Sequence, residues 1–288
     1  MKSIKTLIQD VYDVIGREPW FDEPQFAGYL GQLGRGLHSS LTQAHTGGTL
    51  RLSAMGDRCP RSLWASVHTP SVQEVIKPWT KFKFHYGHFI EASALGLARV
   101  AGHSVEGEQD ELFVDGIAGH RDCVLDGCIV DVKSTDKLSF QKIKSGDVEE
   151  DIFLRSYLDQ LDGYVVGSYD DPLVTEKELA YIWAIDKVQG HMCLYEHRVR
   201  PNRIKQRVAD YKAIVECKEP PACTCQTMQE RNTGNIRLDT KASYNPYKHF
   251  CKPNLRTFIT PKGPIYYTYV RQKPDNSYEV NKEGFTLH

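Results

Sequence analysis

No part of this 288-residue chain is apolar for long enough to cross a bilayer, which takes about 20 residues. The N-terminal MKSIKTLIQDVYDVIG is broken by Gln9, Asp10 and Asp13, so it also lacks the apolar segment of a secretion signal. A cytoplasmic protein is the expectation. Charge of one sign is missing as well: 36 Lys and Arg meet 37 Asp and Glu, a formal net charge of −1, so composition excludes a strongly basic nucleic-acid binder. No internal repeat or low-complexity tract occurs, which excludes a solenoid. With 25% charged and 10% aromatic residues, the chain is not of the disordered class. A chain of this size buries about 75% of its unfolded surface and needs no disulfides. Its eight cysteines, in a reducing compartment, are then core residues or metal ligands.

Periodicity supplies the organisation. Ile4, Leu7, Ile8, Val11 and Ile15 recur at helical spacing, and Glu23-Pro24 marks the start of a second helix. Ser39 to Leu50 reads as a loop, and Phe84 to Val100 as a helix closed by Gly102. SVEGEQDELFV, GHRDCVL and CIVDVKS read as three consecutive strands, punctuated by Gly116 and Asp126-Gly127. Residues 151–167 return to helix, ELAYIWAID and HMCLYEHRV to strand, and Asn202 to Val215 to a basic helix. This order predicts an α/β protein. Beyond Cys217 the Pro-, Cys- and Lys-rich chain has weak periodicity and reads as an irregular appendage.

Asp126-Gly127 predicts a type I′ hairpin turn, because both central positions need positive φ. A two-residue loop fixes the register: Leu125 faces Cys128, Asp122 faces Asp131, and His120 faces Lys133. Cys123, Leu125, Cys128, Val130 and Val132 then form a core face, while His120, Asp122, Val124, Ile129, Asp131 and Lys133 form the other. Two opposed carboxylates destabilise a sheet unless a cation lies between them. A divalent metal is the natural cation, and Lys133 lies within reach of a water or phosphate oxygen held there. These are the working parts of phosphodiester hydrolysis. A solvated hairpin face is the competing reading, since charge runs are common.

Two further motifs weigh against that alternative. On the helix Phe84 to Val100, His88, Glu91 and Leu95 share a face, so Glu91 either supplies or orients a third metal ligand or sits at the edge of the apolar stripe. In RSYLDQLDGYVVG, Phe153, Tyr157, Gln160 and Tyr164 share a face, and a core amide such as Gln160 needs several partners.

Gly87-His88-x-x-Glu91, Gly119-His120-x-Asp122, Asp131-x-Lys133 and Gln160-x-x-x-Tyr164, in this order, resemble the PD-(D/E)XK nucleases of the RecB-type exonuclease group. The resemblance is closest to the phage-encoded exonucleases and more distant to the CRISPR adaptation nucleases, and it covers roughly residues 50–260. It implies a restriction-endonuclease-like core with a mixed central sheet flanked by helices. The implied division is a helical region at 1–50, the nuclease core at 51–216, and an appendage at 217–288 packing back on Cys59. The resemblance assigns metal binding to Asp122, Asp131 and the Val132 carbonyl, with Glu91 and His88 on the outer side. Lys133 serves the nucleophilic water, and Gln160 and Tyr164 position the site or the DNA. The implied activity is a Mg²⁺- or Mn²⁺-dependent exonuclease on linear DNA, in recombination or repair, in a bacterial or phage-infected cytoplasm. A structure-specific endonuclease and a non-catalytic binder of DNA ends or single strands are the alternatives.

In the same group a Cys-Pro-Arg motif and three C-terminal cysteines often hold a 4Fe-4S cluster. Arg58-Cys59-Pro60-Arg61 matches the first part, but Ala242-Ser243-Tyr244-Asn245 stands where relatives carry a Cys-x-x-Cys ahead of Cys251. Cys223 and Cys225 could replace that pair, giving Cys59, Cys223, Cys225 and Cys251, with Cys217 in reserve. Free thiols in a degenerate site, or a zinc site using His249, are the other readings. Cys123, Cys128 and Cys193 are explained by packing.

For DNA, residues 187–218 carry eight Lys and Arg against three acids, and 236–273 carry eight against one. Arg237, Lys241, Lys248, Lys252 and Arg256 belong to the second tract, interleaved with Tyr244, Tyr247, Phe250 and Phe258, which could stack unpaired bases. From Glu106 to Asp131, eight acids meet one base. The near-zero net charge is thus an average over an acidic centre and basic flanks. No segment resembles a base-reading helix, so sequence-nonspecific binding is expected.

Overall fold

The structure, a computed structural model, describes residues 2–42, 48–56 and 58–281. Helices α1 (Leu7–Ile15), α2 (Glu23–Thr42), α3 (Pro60–His68) and α4 (Pro78–Val100) come first. Strands β1 (Val105–Glu106), β2 (Glu111–Val114), β3 (Ile117–His120), β4 (Cys123–Leu125) and β5 (Cys128–Thr135) follow. Then come α5 (Lys137–Ser145), α6 (Arg155–Gly167), β6 (Leu179–Asp186), β7 (Met192–Arg198) and α7 (Pro201–Glu216). Past α7 lie β8 (Thr227–Gln229), β9 (Ile236–Leu238), the short helices α8 (Thr240–Ser243) and α9 (Lys248–Cys251), and β10 (Arg256–Thr260), β11 (Gly263–Tyr269) and β12 (Tyr278–Val280).

The chain divides into two compact units. One holds α1, α2, Leu50–Gly56 and Ile76–Val208; the other holds α3 with the described residues up to Val75, and those from Ala209 onward. In the first, a mixed sheet runs β1-β4-β5-β6-β7, with β5 and β6 parallel and the other pairs antiparallel. One face, through Cys123, Leu125, Cys128, Val130, Val132, Tyr181 and Trp183, packs on Leu7, Val11 and Val14 of α1 and on Leu95 and Ala98 of α4. Parallel pairing of β5 and β6 requires a crossover, which α5 and α6 provide, and α6 covers the opposite face. That face is also buried at Val124, Ile129 and Asp131, because a parallel strand is covered on both sides.

Asp126 and Gly127 take φ of 51° and 84°, and the pairs Cys123 with Val130, Val124 with Ile129 and Leu125 with Cys128 carry the register expected of a two-residue turn. The pairing stops there. Residues 119–125 are not one strand: β3 ends at His120 and pairs with β2, so His120 faces Glu111 and not Lys133. The break falls at Arg121, whose buried guanidinium is held by Asp110 at 2.7 Å, Asp171 at 2.6 Å and the Gly107 carbonyl at 3.1 Å. SVEGEQDELFV is likewise two strands, parted at Gly107 and Gln109, which both have positive φ. Helix α2 continues to Thr42, past the expected loop start at Ser39, and residues 43–47 lie outside the described residues.

The second unit corrects the expectation of irregularity past Cys217. Its strands form an antiparallel sheet in the order β12-β10-β11-β9-β8. RTFIT and GPIYYTY flank the two-residue loop Pro261-Lys262 and pair as a hairpin. Phe258 and Tyr267 meet edge to face at 5.7 Å, and Leu238, Ala242, Leu255 and Tyr266 form a small core.

The hairpin turn offers a test. A Cβ at Gly127 would collide with Thr175 Oγ1, whereas Gly116, at a similar φ of 79°, has open space around it. Gly127→Ala should cost about 1–3 kcal/mol through φ alone and more through the collision. Gly116→Ala should cost only the φ part, so equal losses in urea denaturation would remove the Thr175 contact from the account.

Candidate active site

A strand that starts late makes room for the site. β4 begins only at Cys123, so β5 loses its neighbour on that edge beyond Val130. Val132 N–H donates instead to Asp122 Oδ2 at 2.8 Å. In an extended strand one residue's N–H and C=O point to the same edge, so the Val132 carbonyl opens into the gap that Asp122 fills. Asp131 projects to the sheet face covered by α6 and is 0% exposed. Its Oδ1 accepts from Lys133 Nζ at 2.7 Å, while its buried Oδ2 has no hydrogen-bond partner. The Lys133 ammonium lies 5.1 Å from the centroid of the Tyr157 ring.

The electrostatics follow from burial. Burial pushes the Asp131 carboxyl up to about 8, with Lys133 pulling it down and Asp122 adding to the rise. Burial works against the Lys133 ammonium, but the charges of Asp131 and Asp122 outweigh it and hold the lysine protonated more firmly than usual. Glu91 of α4, half-buried, accepts from Gln109 Nε2 at 2.9 Å and stands 3.8 Å from His88 Nδ1. Burial and then the charge of Asp122 raise the Glu91 carboxyl, and hydrogen bonding to Glu91 raises the exposed His88. On α6, Gln160 Nε2 donates to the buried Tyr164 hydroxyl at 2.5 Å. Burial, then Asp131 and Asp122, push that hydroxyl's pKa up.

The structure thus brings Glu91, Asp122, Asp131, Lys133 and Tyr164 within electrostatic reach, with Gln160 joined through Tyr164 and His88 at the outer edge. The oxygen donors do not converge as tightly as the thiols. Among the described residues, only Cys59, Cys223, Cys225 and Cys251 place three or more potential ligand atoms within 4.8 Å of one another. A buried carboxylate oxygen without a partner, beside a second carboxylate, nonetheless fits a hard divalent cation. Gln109 is the neighbour that sequence reading missed, and nothing about an isolated glutamine in an acidic loop signals it.

The four cysteine sulfurs form their own centre in the second unit. Cys59 Sγ lies 3.9 Å from Cys223 Sγ and 3.8 Å from Cys251 Sγ. Thr224 N–H donates to Cys59 Sγ at 3.4 Å and Cys225 N–H to Cys223 Sγ at 3.4 Å. Asn245 does not weaken the set: its Nδ2 donates to Cys225 Sγ at 3.4 Å and to Cys251 Sγ at 3.5 Å, while its Oδ1 accepts from Ser62 and Tyr247. Hydrogen bonds from Cys225 and Cys251 lower Cys59 far below a free thiol, whereas contact with Cys59 and burial push Cys225 up to about 12 although Cys251 pulls the other way. A metal cation would take the place of the thiol protons. Exposed Cys217, bonded to the Ala213 carbonyl, stands outside the group, as does His249.

Several cations of the basic tracts are spent on internal pairs. Asp159 takes Arg203 and Arg207 at 3.1 and 3.2 Å, and Asp162 takes Arg200 and His197. Lys248 is buried against Glu74, Arg256 pairs with Glu279 at 2.6 Å, and Arg237 with Glu230 at 3.4 Å. Tyr247 and Phe258 are core residues and Phe250 stacks on Trp64, so of the four aromatics expected to stack bases only Tyr244 is exposed.

No family model matches the chain, and no curated protein matches it. Solved structures do. The crystal structure of SSO0001 matches with a TM-score of 0.39 and 13% identity, over 76% of this chain and 94% of that one. That of an alkaline exonuclease (LHK-Exo) from Laribacter hongkongensis matches with a TM-score of 0.38 and 13% identity, over 64% of this chain and 92% of that one.

If Asp131 is a cation ligand, Mg²⁺ or Mn²⁺ at a hundredfold excess over Kd should stabilise the protein by about 2.7 kcal/mol, read as a rise in Tm. Protons compete for a carboxyl standing at about 8, so the rise should shrink as pH falls from about 8 to 6. In chelator the sign reverses: the protonated form is the stable one, and stability falls as pH rises toward 8. Asp131→Asn should abolish the cation effect, and an equal Tm rise in that variant would remove Asp131 from the cation site.

Proposed function

We propose that the protein is a Mg²⁺- or Mn²⁺-dependent deoxyribonuclease that degrades linear DNA from its ends, in phage or bacterial recombination or repair. The observation that carries the reading is Asp131: buried in the sheet, one oxygen on Lys133, the other without a partner, with Asp122 across the gap. Asp186 also buries an oxygen without a partner, so it is the second carboxylate, Asp122, that marks Asp131 as a cation ligand. The end-directed mode rests on the four ordered sequence motifs.

Asp122, Asp131 and the Val132 carbonyl would hold the cation, with Glu91 and His88 on its outer side, and a cation there neutralises phosphate charge and acidifies water. Lys133 does not serve as a base, because Asp131 and Asp122 hold it protonated. It donates to the attacking water or to a phosphate oxygen, with the Tyr157 ring limiting its sweep. Tyr164, whose hydroxyl titrates above its usual range, remains a neutral donor beside the carboxylates, and Gln160 fixes its rotamer. Water adds to phosphorus, one P–O ester bond breaks, and the departing oxygen takes a proton, so water is the only co-substrate.

We assign the thiol set to a transition metal that ties Cys59 to Cys223, Cys225 and Cys251. A single tetrahedral ion with metal–sulfur bonds of about 2.3 Å spaces its sulfurs roughly 3.8 Å apart. The sulfur separations of 3.8 and 3.9 Å match that spacing. A four-iron cube binds each thiolate to a different iron and holds the thiolates farther apart. The spacing therefore favours one zinc or iron ion over the 4Fe-4S cluster that the sequence resemblance implies.

With Mg²⁺ or Mn²⁺, end-labelled linear DNA should be shortened from its ends while covalently closed circles survive. Asp131→Ala and Lys133→Ala should each lower the rate by at least about 100-fold with DNA binding retained. Intact linear DNA at every metal tested would end the nuclease reading, and cut circles would replace the end-directed mode. Metal analysis of anaerobically purified protein should give about one ion per chain. Brown protein with about four irons per chain would restore the cluster.

A further inference from the structure

The aromatics expected to stack bases are mostly buried in the second unit, but another set is on display in the first. Trp79 and Phe82 are each 72% exposed, and Tyr86 and Phe89 are 42% and 41% exposed. Their spacing of three, four and three residues places the four rings on one stripe along the first three turns of α4. Single exposed rings need no explanation, but a stripe of four on one helix does. Helix α2 packs on the later part of α4, where Gly36 meets Ala92, Tyr29 meets Gly96, and the Tyr29 hydroxyl bonds Ser93 at 2.6 Å.

The charge on this segment is of one sign: Lys83 and His85 flank the stripe, and Lys77 and Lys81 stand further round the helix. Residues 76–90 hold Lys77, Lys81, Lys83, His85 and His88 with no Asp or Glu, and α2 beyond Glu23 holds Arg35 and His38 with none either. Among the described residues, Lys77, Lys81 and Lys83 have no carboxylate partner, unlike the arginines of the 187–218 tract. The Tyr86 hydroxyl donates to the Lys187 carbonyl at 3.5 Å, so the stripe continues into the turn between β6 and β7. A second copy of this chain on the stripe, related by a twofold axis, would set these cations against their own equivalents. A polynucleotide strand brings the complementary chemistry: phosphates for the lysines and flat base faces for the rings. Along α4 the four rings step about 4.5, 6 and 4.5 Å, a spacing that successive unpaired bases can follow.

We propose that the first three turns of α4 form a stacking platform for an unpaired polynucleotide strand. The proposal deepens the nuclease reading and rests on it for the choice of ligand. Glu91 follows Phe89 by two residues, about 200° further round the helix, so it faces away from the stripe, and a strand held there must pass round α4 to reach that carboxylate.

The test is fluorescence anisotropy with a labelled oligo-dT of about 20 nucleotides, in chelator to prevent cleavage and at about 0.1 M salt. Trp79→Ala/Phe82→Ala and Lys81→Glu/Lys83→Glu should each weaken single-strand binding tenfold or more, and binding of a blunt duplex by less. All four residues are exposed, so unchanged circular dichroism melting would verify that both variants fold. Wild-type affinity in both folded variants would overturn the platform, as would a wild-type protein that does not bind the single strand. So would an oligomer, seen by sedimentation, that Trp79→Ala/Phe82→Ala disperses without loss of DNA affinity, because the stripe would then be covered by a second copy. Failure of the nuclease reading is separable: single-strand binding that depends on the stripe, without cleavage at any metal, would sink catalysis and leave the platform.

Discussion

The first unit is organised around the cost of burying Asp131. Placing a carboxylate inside a sheet covered on both faces carries a penalty of several kcal/mol, a large share of the 5–15 kcal/mol that holds a domain folded. Lys133 satisfies one oxygen from two residues along the same strand, and that local pairing is available to any β-strand. The second oxygen is left to a cation or a proton, and the rise of the carboxyl to about 8 is the signature of that unmet demand. The surroundings reinforce it: Asp122 faces the Val132 amide in the gap where β4 is missing, and Tyr164 closes the α6 side with a hydroxyl that keeps its proton. Removing Asp131 alone would leave Lys133, Asp122 and Glu91 without the charge that their arrangement assumes.

The second unit solves a different problem with different chemistry. Its apolar core is small, built on Leu238, Ala242, Leu255 and Tyr266, and its strands β8, β9 and β12 have three residues each. Such a sheet buries too little surface to hold far-separated segments together. Four thiols from residues 59, 223, 225 and 251 join those segments at one point, and soft sulfur ligands suit a transition metal as the Asp131 oxygens suit a hard cation. Asn245 contributes an amide that donates to two of the sulfurs, those of Cys225 and Cys251.

What the sequence made legible was local. Asp-Gly set the turn and its φ values, alternation set the core face of β5, and helical spacing placed Glu91 on α4 and Gln160 beside Tyr164. What it hid was decided by partners distant in the chain. The break after His120 depends on Asp171, 50 residues from Arg121. The tie on Glu91 comes from Gln109, whose own sequence neighbourhood is unremarkable acid and glycine. The C-terminal sheet escaped notice because three of its five strands have only three residues, too few to show a period, and Pro, Lys and Gly in its turns resemble linker composition.

Charge counting shows the same division between what is near and what is far. Runs of lysine and arginine were read as phosphate-binding surface, yet Arg200, Arg203 and Arg207 answer the buried Asp162 and Asp159, and Lys248 and Arg256 answer Glu74 and Glu279. An arginine that neutralises a buried carboxylate has no charge to spare for a polyanion, because withdrawing it leaves the carboxylate uncompensated. The free positive surface must be sought where cations have no acids to serve. The start of α4 meets that condition with three lysines, and it is also where five aromatic rings, Phe84 besides the four of the stripe, face solvent. Free charge and exposed ring therefore coincide on a helix whose next turn carries Glu91, a coincidence invisible to a count of basic residues along the chain.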